Sequence, residues 1–273
     1  LSYDGVAAVT LTAAAGEVRL CEWLACTADF VPPFPDTESE ADVLAVLNEP
    51  GDELTLFGGL FAALSGEHGL SVQVVYLAGA DSFRCHQCMQ VLSRMGVLRE
   101  PLFFTGGKTK YQTDSAVLKA LGGEKAVPDR LTALIRTARP KLLITLDPSE
   151  TQTRYADGVI ARTVLTAADR AAQDEDDPFT VQKVYTLSEE GETVVSLSEP
   201  LYAFDGRTAH ALAAELSACY TEDCVYRRTV PDTLRAALYA SSVGKDAANN
   251  DLLEHLSTDA FANYRVPTPA PTP

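Results

Sequence analysis

No apolar run in this chain reaches the roughly 20 residues that a membrane-spanning helix needs. Cations are also scarce: 22 Lys and Arg stand against 38 Asp and Glu, a formal net charge of −16. That balance argues against nucleic-acid backbones and anionic membranes as partners, and solubility alone accounts for it. The patterns of several common chemistries are missing. There is no Ser-His-Asp arrangement, no P-loop and no G-x-G-x-x-G. No internal repeat is present. The four histidines, His68, His86, His210 and His255, are scattered and read as surface or capping residues rather than ligands.

What remains is a chain of 273 residues, 46% hydrophobic, enough for a substantial core. It reads as one α/β domain, residues 41–265, behind an N-terminal extension, residues 1–40, that ends in a Pro-rich acidic connector. Residues 266–273, Val-Pro-Thr-Pro-Ala-Pro-Thr-Pro, read as a stiff linker. Leu1 in place of Met points to a removed leader or upstream domain, and the linker to an exported, extracellular or cell-envelope protein. The cysteines fall in local pairs, Cys21/Cys26, Cys85/Cys88 and Cys219/Cys224, which favours disulfides or buried thiols over a metal site. The first and last pairs are the better candidates, because Cys85 and Cys88 sit one helical turn apart. A zinc site on Cys85-His86-Gln87-Cys88 is the alternative, but no second pair stands at finger or ribbon spacing.

The stretch that organises the chain is residues 41–60. Val43–Leu47 is a short apolar run bounded by turn residues, the mark of a strand covered on both faces. Asn48, Pro50 and Gly51 make a turn, and Asp52 and Glu53 suit a helix start. A helical stripe follows over residues 54–65, then a strand over 70–78 and a helix over 81–95. Further strands are expected at 102–104 and 141–146, with helices at 124–138 and 157–172. The succession implies a Rossmann-like, mostly parallel sheet with helices on both faces, a three-layer α/β sandwich. Residues 181–187 and 193–197 look like a hairpin joined through 189–192. A helix at 207–219 and helical patches at 234–239 and 251–256 complete the reading. In such sheets ligands bind at the carboxyl ends of the strands, which places Glu49, Asp52 and Glu53 at a site.

The turn Asn48-Glu49-Pro50-Gly51-Asp52-Glu53, followed by Phe57-Gly58-Gly59, resembles the PIG-L/LmbE family of zinc-dependent de-N-acetylases. In that family the first strand ends in Ala-His-Pro-Asp-Asp-Glu and leads into a helix carrying Gly-Gly. Its His and second Asp bind zinc, and its first Asp is the general base. Here Glu49 stands in the His slot, Gly51 in the base slot, and Asp52 keeps the second Asp. Arg84 matches an Arg that opens the family's second helix, and Gln87 takes the place of a Glu. The family's His-x-Asp-His, whose last His is the third zinc ligand, corresponds to Tyr155-Ala156-Asp157-Gly158.

The resemblance therefore implies the fold without the hydrolytic set. Zinc hydrolysis needs three ligands, an open water position and a base, and the slots hold Glu49, Asp52, Gly158 and Gly51. The expectation is a catalytically inactive relative, with no catalytic residues and no zinc. A cleft walled by residues 48–53, 81–84, 105–110 and 147–157 would bind a sugar, glycoconjugate or protein partner. Glu49, Asp52, Glu53, Arg84 and Asp157 are its binding residues, and Lys108, Lys110 and Arg154 stand at the rim. The alternative is a carbohydrate N-deacetylase whose carboxylates, Glu49 and Asp52, hold Ca²⁺ or Mg²⁺.

Overall fold

A computed structural model describes residues 39–79, 81–105, 113–149, 155–220, 229–244 and 252–256. All of them fall within one compact unit, Pro33–Pro273. The N-terminal extension up to residue 38 and the Pro-rich linker lie outside the described residues, as do Lys108, Lys110 and Arg154.

The apolar run Val43–Leu47 forms β1, and every residue in it is buried. Its neighbours are β2, Val72–Tyr76, and β4, Leu142–Thr145, both parallel to it and in register over their lengths. β3, Leu102–Phe103, extends the sheet beyond β2, and β5, Lys183–Leu187, extends it beyond β4. These parallel strands are mostly apolar because both faces are covered, with Gln73 in β2 and Lys183 in β5 as buried polar exceptions. The covers are α1, Asp52–Thr55; α2, Ser82–Arg94; α3, Asp114–Ala120; α4, Ala126–Ala138; and α5, Tyr155–Ala172. By the right-handed crossover rule for parallel strands, the order from β1 through β3 assigns α1 and α2 to one face, and the return to β4 and β5 assigns α3 to α5 to the other. This is the mostly parallel, three-layer α/β arrangement that the sequence implies.

Four local expectations are corrected. The helical stripe at residues 54–65 is not one helix. α1 is a single turn, and a π-helical stretch, Ala62–Glu67, follows it. Gly58 and Gly59 interrupt it with positive φ, 57° and 85°. A Cβ on Gly58 would lie 2.6 Å from the Pro231 carbonyl oxygen, and one on Gly59 would collide with that of Ala209. The pair exists for close approach of the backbone, not for a phosphate.

Second, β5 and β6, Thr193–Ser196, do not form a hairpin. β9, Thr233–Ser241, lies between them and runs antiparallel to both, giving the order β3-β2-β1-β4-β5-β9-β6. Third, β9 occupies the patch at 234–239 read as helical. Its Ala, Leu and Arg favour helix, but Leu234 and Ala236 bury alternately into the sheet, and tertiary pairing overrides the propensity. The patch at 251–256 is a turn over its described part, 252–256.

A small hairpin of β7, Pro200–Leu201, and β8, Arg207–Thr208, leads into α6, Ala209–Leu216. A single 3₁₀ turn, Ser217–Cys219, then presents Tyr220 to the core.

Candidate functional site

At Leu47 the strand ends and the chain folds back sharply. Gly51 adopts φ 108°, a conformation that favours glycine. The side chains that follow bond backwards into this turn and do not act as simple helix caps. Asp52 Oδ2 accepts the Glu49 N–H at 3.0 Å, and Glu53 Oε2 accepts the Gly51 N–H at 2.7 Å. Asp52 and Glu53 are both fully buried and form the underside of the turn.

Glu53 also accepts hydrogen bonds from two tyrosines. The Tyr76 hydroxyl donates to Oε2 at 2.9 Å, and the Tyr220 hydroxyl donates to Oε1. Burial pushes the Glu53 carboxyl up to about 7, outweighing the pull of these donors towards ionisation. Burial likewise holds both tyrosines well above the usual phenol range, and the neighbouring Glu53 charge adds to the rise. The Cys88 thiol meets the same cluster through Tyr76 and is raised by the same burial. Tyr76 and Tyr220 carry no sequence motif; only the register of β2 and the turn after α6 bring them here.

The remaining candidates form two cross-links. Asn48 Nδ2 donates to Asp157 Oδ1 at 2.8 Å, and both residues are buried. Asp157 is thus not merely the cap of α5: it ties α5 to the end of β1. Arg84 Nη1 pairs with Glu49 Oε2 at 3.3 Å, and both side chains are about four-fifths buried. Asp81 caps α2 by accepting the Arg84 N–H at 2.9 Å.

Gly158 has no room for a side chain. A Cβ there would stand 2.6 Å from the Ser149 carbonyl oxygen. Arg162 fixes that loop, donating from Nη1 to the Pro148 carbonyl at 2.9 Å, while its Nη2 pairs with Asp114 at 3.2 Å. Of the three ligand slots, Glu49 is paired with a guanidinium, Asp52 accepts a backbone N–H, and Gly158 has neither a side-chain donor atom nor space for one. Among the described residues no group of three His, Cys, Asp or Glu is placed to hold a metal.

Among the described residues, one open space at the strand ends lies to one side of the turn. A cleft of about 740 Å³ sits over β4, β5 and the start of β9. Leu146 and Leu187 are apolar parts of its lining, and Asp147, Asp157, Glu189 and Arg235 are charged ones. Of the five expected binding residues only Asp157 lines it; Glu49 and Arg84 do not, and Asp52 and Glu53 lie beneath the turn. The acidic turn at Glu189 was read only as a hairpin connection.

No protein-family model matches the chain, and no curated protein matches it. Solved structures do. The hydratase GalB of Pseudomonas putida, a 4-carboxy-2-hydroxymuconate hydratase, aligns with TM-score 0.55 and 14% identity over 77% of this chain and 100% of its own. A conserved protein of Thermus thermophilus aligns with TM-score 0.52 and 17% identity over 75% of this chain and 97% of its own. The N,N′-diacetylchitobiose deacetylase of Pyrococcus horikoshii aligns with TM-score 0.53 and 12% identity over 72% of this chain and 84% of its own. At these identities the likeness is one of fold, which this chain shares with the hydratase and the deacetylase alike.

Proposed function

We propose that this chain is a deacetylase-fold protein without hydrolytic activity, which uses its strand-end cleft to bind a sugar, a glycoconjugate or a protein partner. One observation carries the reading: Gly158, in the slot of the third metal ligand, is packed 2.6 Å from the Ser149 carbonyl oxygen at its missing Cβ. A ligand could not be restored there without moving the loop. Gly51, in the slot of the base, has no proton acceptor and a backbone that disfavours one. The neighbour from Pyrococcus horikoshii is named for a diacetylated chitobiose, which supports a sugar as the first ligand to try. Leucines with carboxylates and an arginine, as lined here, suit a sugar ring and its hydroxyls.

The reading of a deacetylase with Ca²⁺ or Mg²⁺ at Glu49 and Asp52 has less support, because Arg84 already engages Glu49. Calorimetric titration with chitobiose and diacetylchitobiose tests the binding function. Binding that Asp147→Asn weakens at least several-fold supports it. No binding of either sugar leaves a protein partner as the occupant of the cleft.

A further inference from the structure

The cleft over β4, β5 and the start of β9 is lopsided in charge. Asp147, Asp157, Glu189 and Glu190 line it against one cation, Arg235. That cation is committed to the scaffold: Arg235 Nη1 donates to the Gly191 carbonyl at 3.3 Å and holds the acidic turn in place. The Glu189 and Glu190 carboxylates are exposed and have no hydrogen-bond or ion-pair partner among the described residues. Asp147 is fixed on the wall, where its Oδ1 accepts the Ser149 N–H at 2.8 Å. Carboxylates gathered around a concave, partly apolar space focus a negative potential inside it.

A second observation lies deeper. Leu187 lines the cleft. Tyr185 stands two residues before it on β5, and so on the same face of the sheet. It is fully buried, yet among the described residues its hydroxyl has no hydrogen-bond partner. A buried hydroxyl left alone is costly, and a polar group seated past Leu187 relieves that cost.

We propose that the ligand of this cleft carries a primary ammonium group, held between Asp147 and the Glu189–Glu190 turn, with the Tyr185 hydroxyl as the polar contact at the inner end. The inference rests on the reading of the cleft as a sugar site and goes further, by fixing the ligand's charge. An ammonium presents several donors and a full charge to the carboxylates. N-acetylation replaces that charge with a neutral amide, and an anionic ligand meets repulsion from every carboxylate on the wall.

The test is calorimetric titration of the full chain below neutral pH. The probes are chitobiose, whose amines are charged; diacetylchitobiose, its neutral amide; cellobiose, with hydroxyls in place of the amines; and spermidine, a cation without a sugar. Chitobiose should bind at least about tenfold more tightly than cellobiose or diacetylchitobiose, the size of one charge-assisted hydrogen bond. Raising salt from about 0.05 M to about 0.5 M should remove much of that margin and leave cellobiose unchanged. Glu189→Gln with Glu190→Gln should weaken chitobiose about threefold, and neither this pair nor Asp147→Asn should weaken cellobiose. Tyr185→Phe should weaken chitobiose without lowering the melting temperature, and unchanged affinity there overturns the inner contact. Equal affinities for chitobiose and cellobiose, or acid-to-amide variants that bind chitobiose as the parent does, overturn this inference and leave the sugar reading standing. Spermidine bound as tightly as chitobiose supports the ammonium and overturns the sugar. No binding of any probe overturns the sugar reading and this inference with it.

Discussion

Asn48 and Asp157, 109 residues apart in the chain, are joined by a buried hydrogen bond of 2.8 Å. The amide leaves β1 and the carboxylate leaves the first turn of α5, so the bond fixes the mouth of the sheet. Removing the donor takes a hydrogen bond from a carboxylate that is 5% exposed. Asn48→Ala should cost about 1.5–3 kcal/mol, the range for a hydrogen bond to a charged group. Chemical denaturation measures it; a loss under about 0.5 kcal/mol, the size of an ordinary surface substitution, would show that the bond is not maintained in solution.

Glu53 gives the protein a pH dependence. Its carboxyl, at about 7 in the fold against 4.5 as a free side chain, binds its proton more tightly when folded. The stabilisation is therefore complete below about pH 4.5 and is lost as pH rises through 7. The difference corresponds to about 3 kcal/mol. Glu53→Gln should abolish this component, so its denaturation midpoint should fall less than the parent's between pH 5 and 8. Equal slopes for the two proteins would place the Glu53 carboxyl at an ordinary value.

The parallel half of the fold was legible because its strands announce themselves locally. Val43–Leu47, Val72–Tyr76 and Leu142–Thr145 are apolar runs between turn residues, and they pair as adjacent strands. The antiparallel end was not. β9 enters between β5 and β6 from about forty residues further on, and no local pattern records that insertion. In the site, the turn at Asn48–Glu53 was found from its residues, and Arg84 and Glu49, both expected there, meet as an ion pair. Tyr76 and Tyr220 were missed, since an aromatic in a strand and another after a helix look like core. Only the fold aims both hydroxyls at Glu53.

Gly158 should resist every side chain. Gly158→Ala should destabilise by roughly 1–3 kcal/mol, the cost of overpacking against a fixed neighbour, because the Cβ would meet the Ser149 carbonyl oxygen at 2.6 Å. Gly158→His should be worse, so restoring the three family residues together should yield an unstable protein and not a zinc enzyme. A Gly158→Ala variant as stable as the parent would show that the loop at Ser149 yields freely.

The thiols give a separate check. Cys85, Cys88 and Cys219 are free, which departs from the expected Cys219/Cys224 bridge; Cys21, Cys26 and Cys224 lie outside the described residues. α2 keeps regular helical geometry through Cys85 and Cys88, and burial holds the Cys88 thiol well above its usual range, so it is a poor nucleophile. Titration of the unfolded, unreduced protein should find at least those three thiols. Complete oxidation of the six cysteines would contradict it.

The most direct test of the account is one assay on one preparation: metal content together with acetate release from N-acetylglucosamine conjugates. The arrangement of Glu49 on Arg84, Gly51 at the base position and Gly158 against Ser149 predicts no bound zinc and no acetate. Stoichiometric zinc with acetate released would contradict it, and would mean that the hydrolytic site is built from other residues.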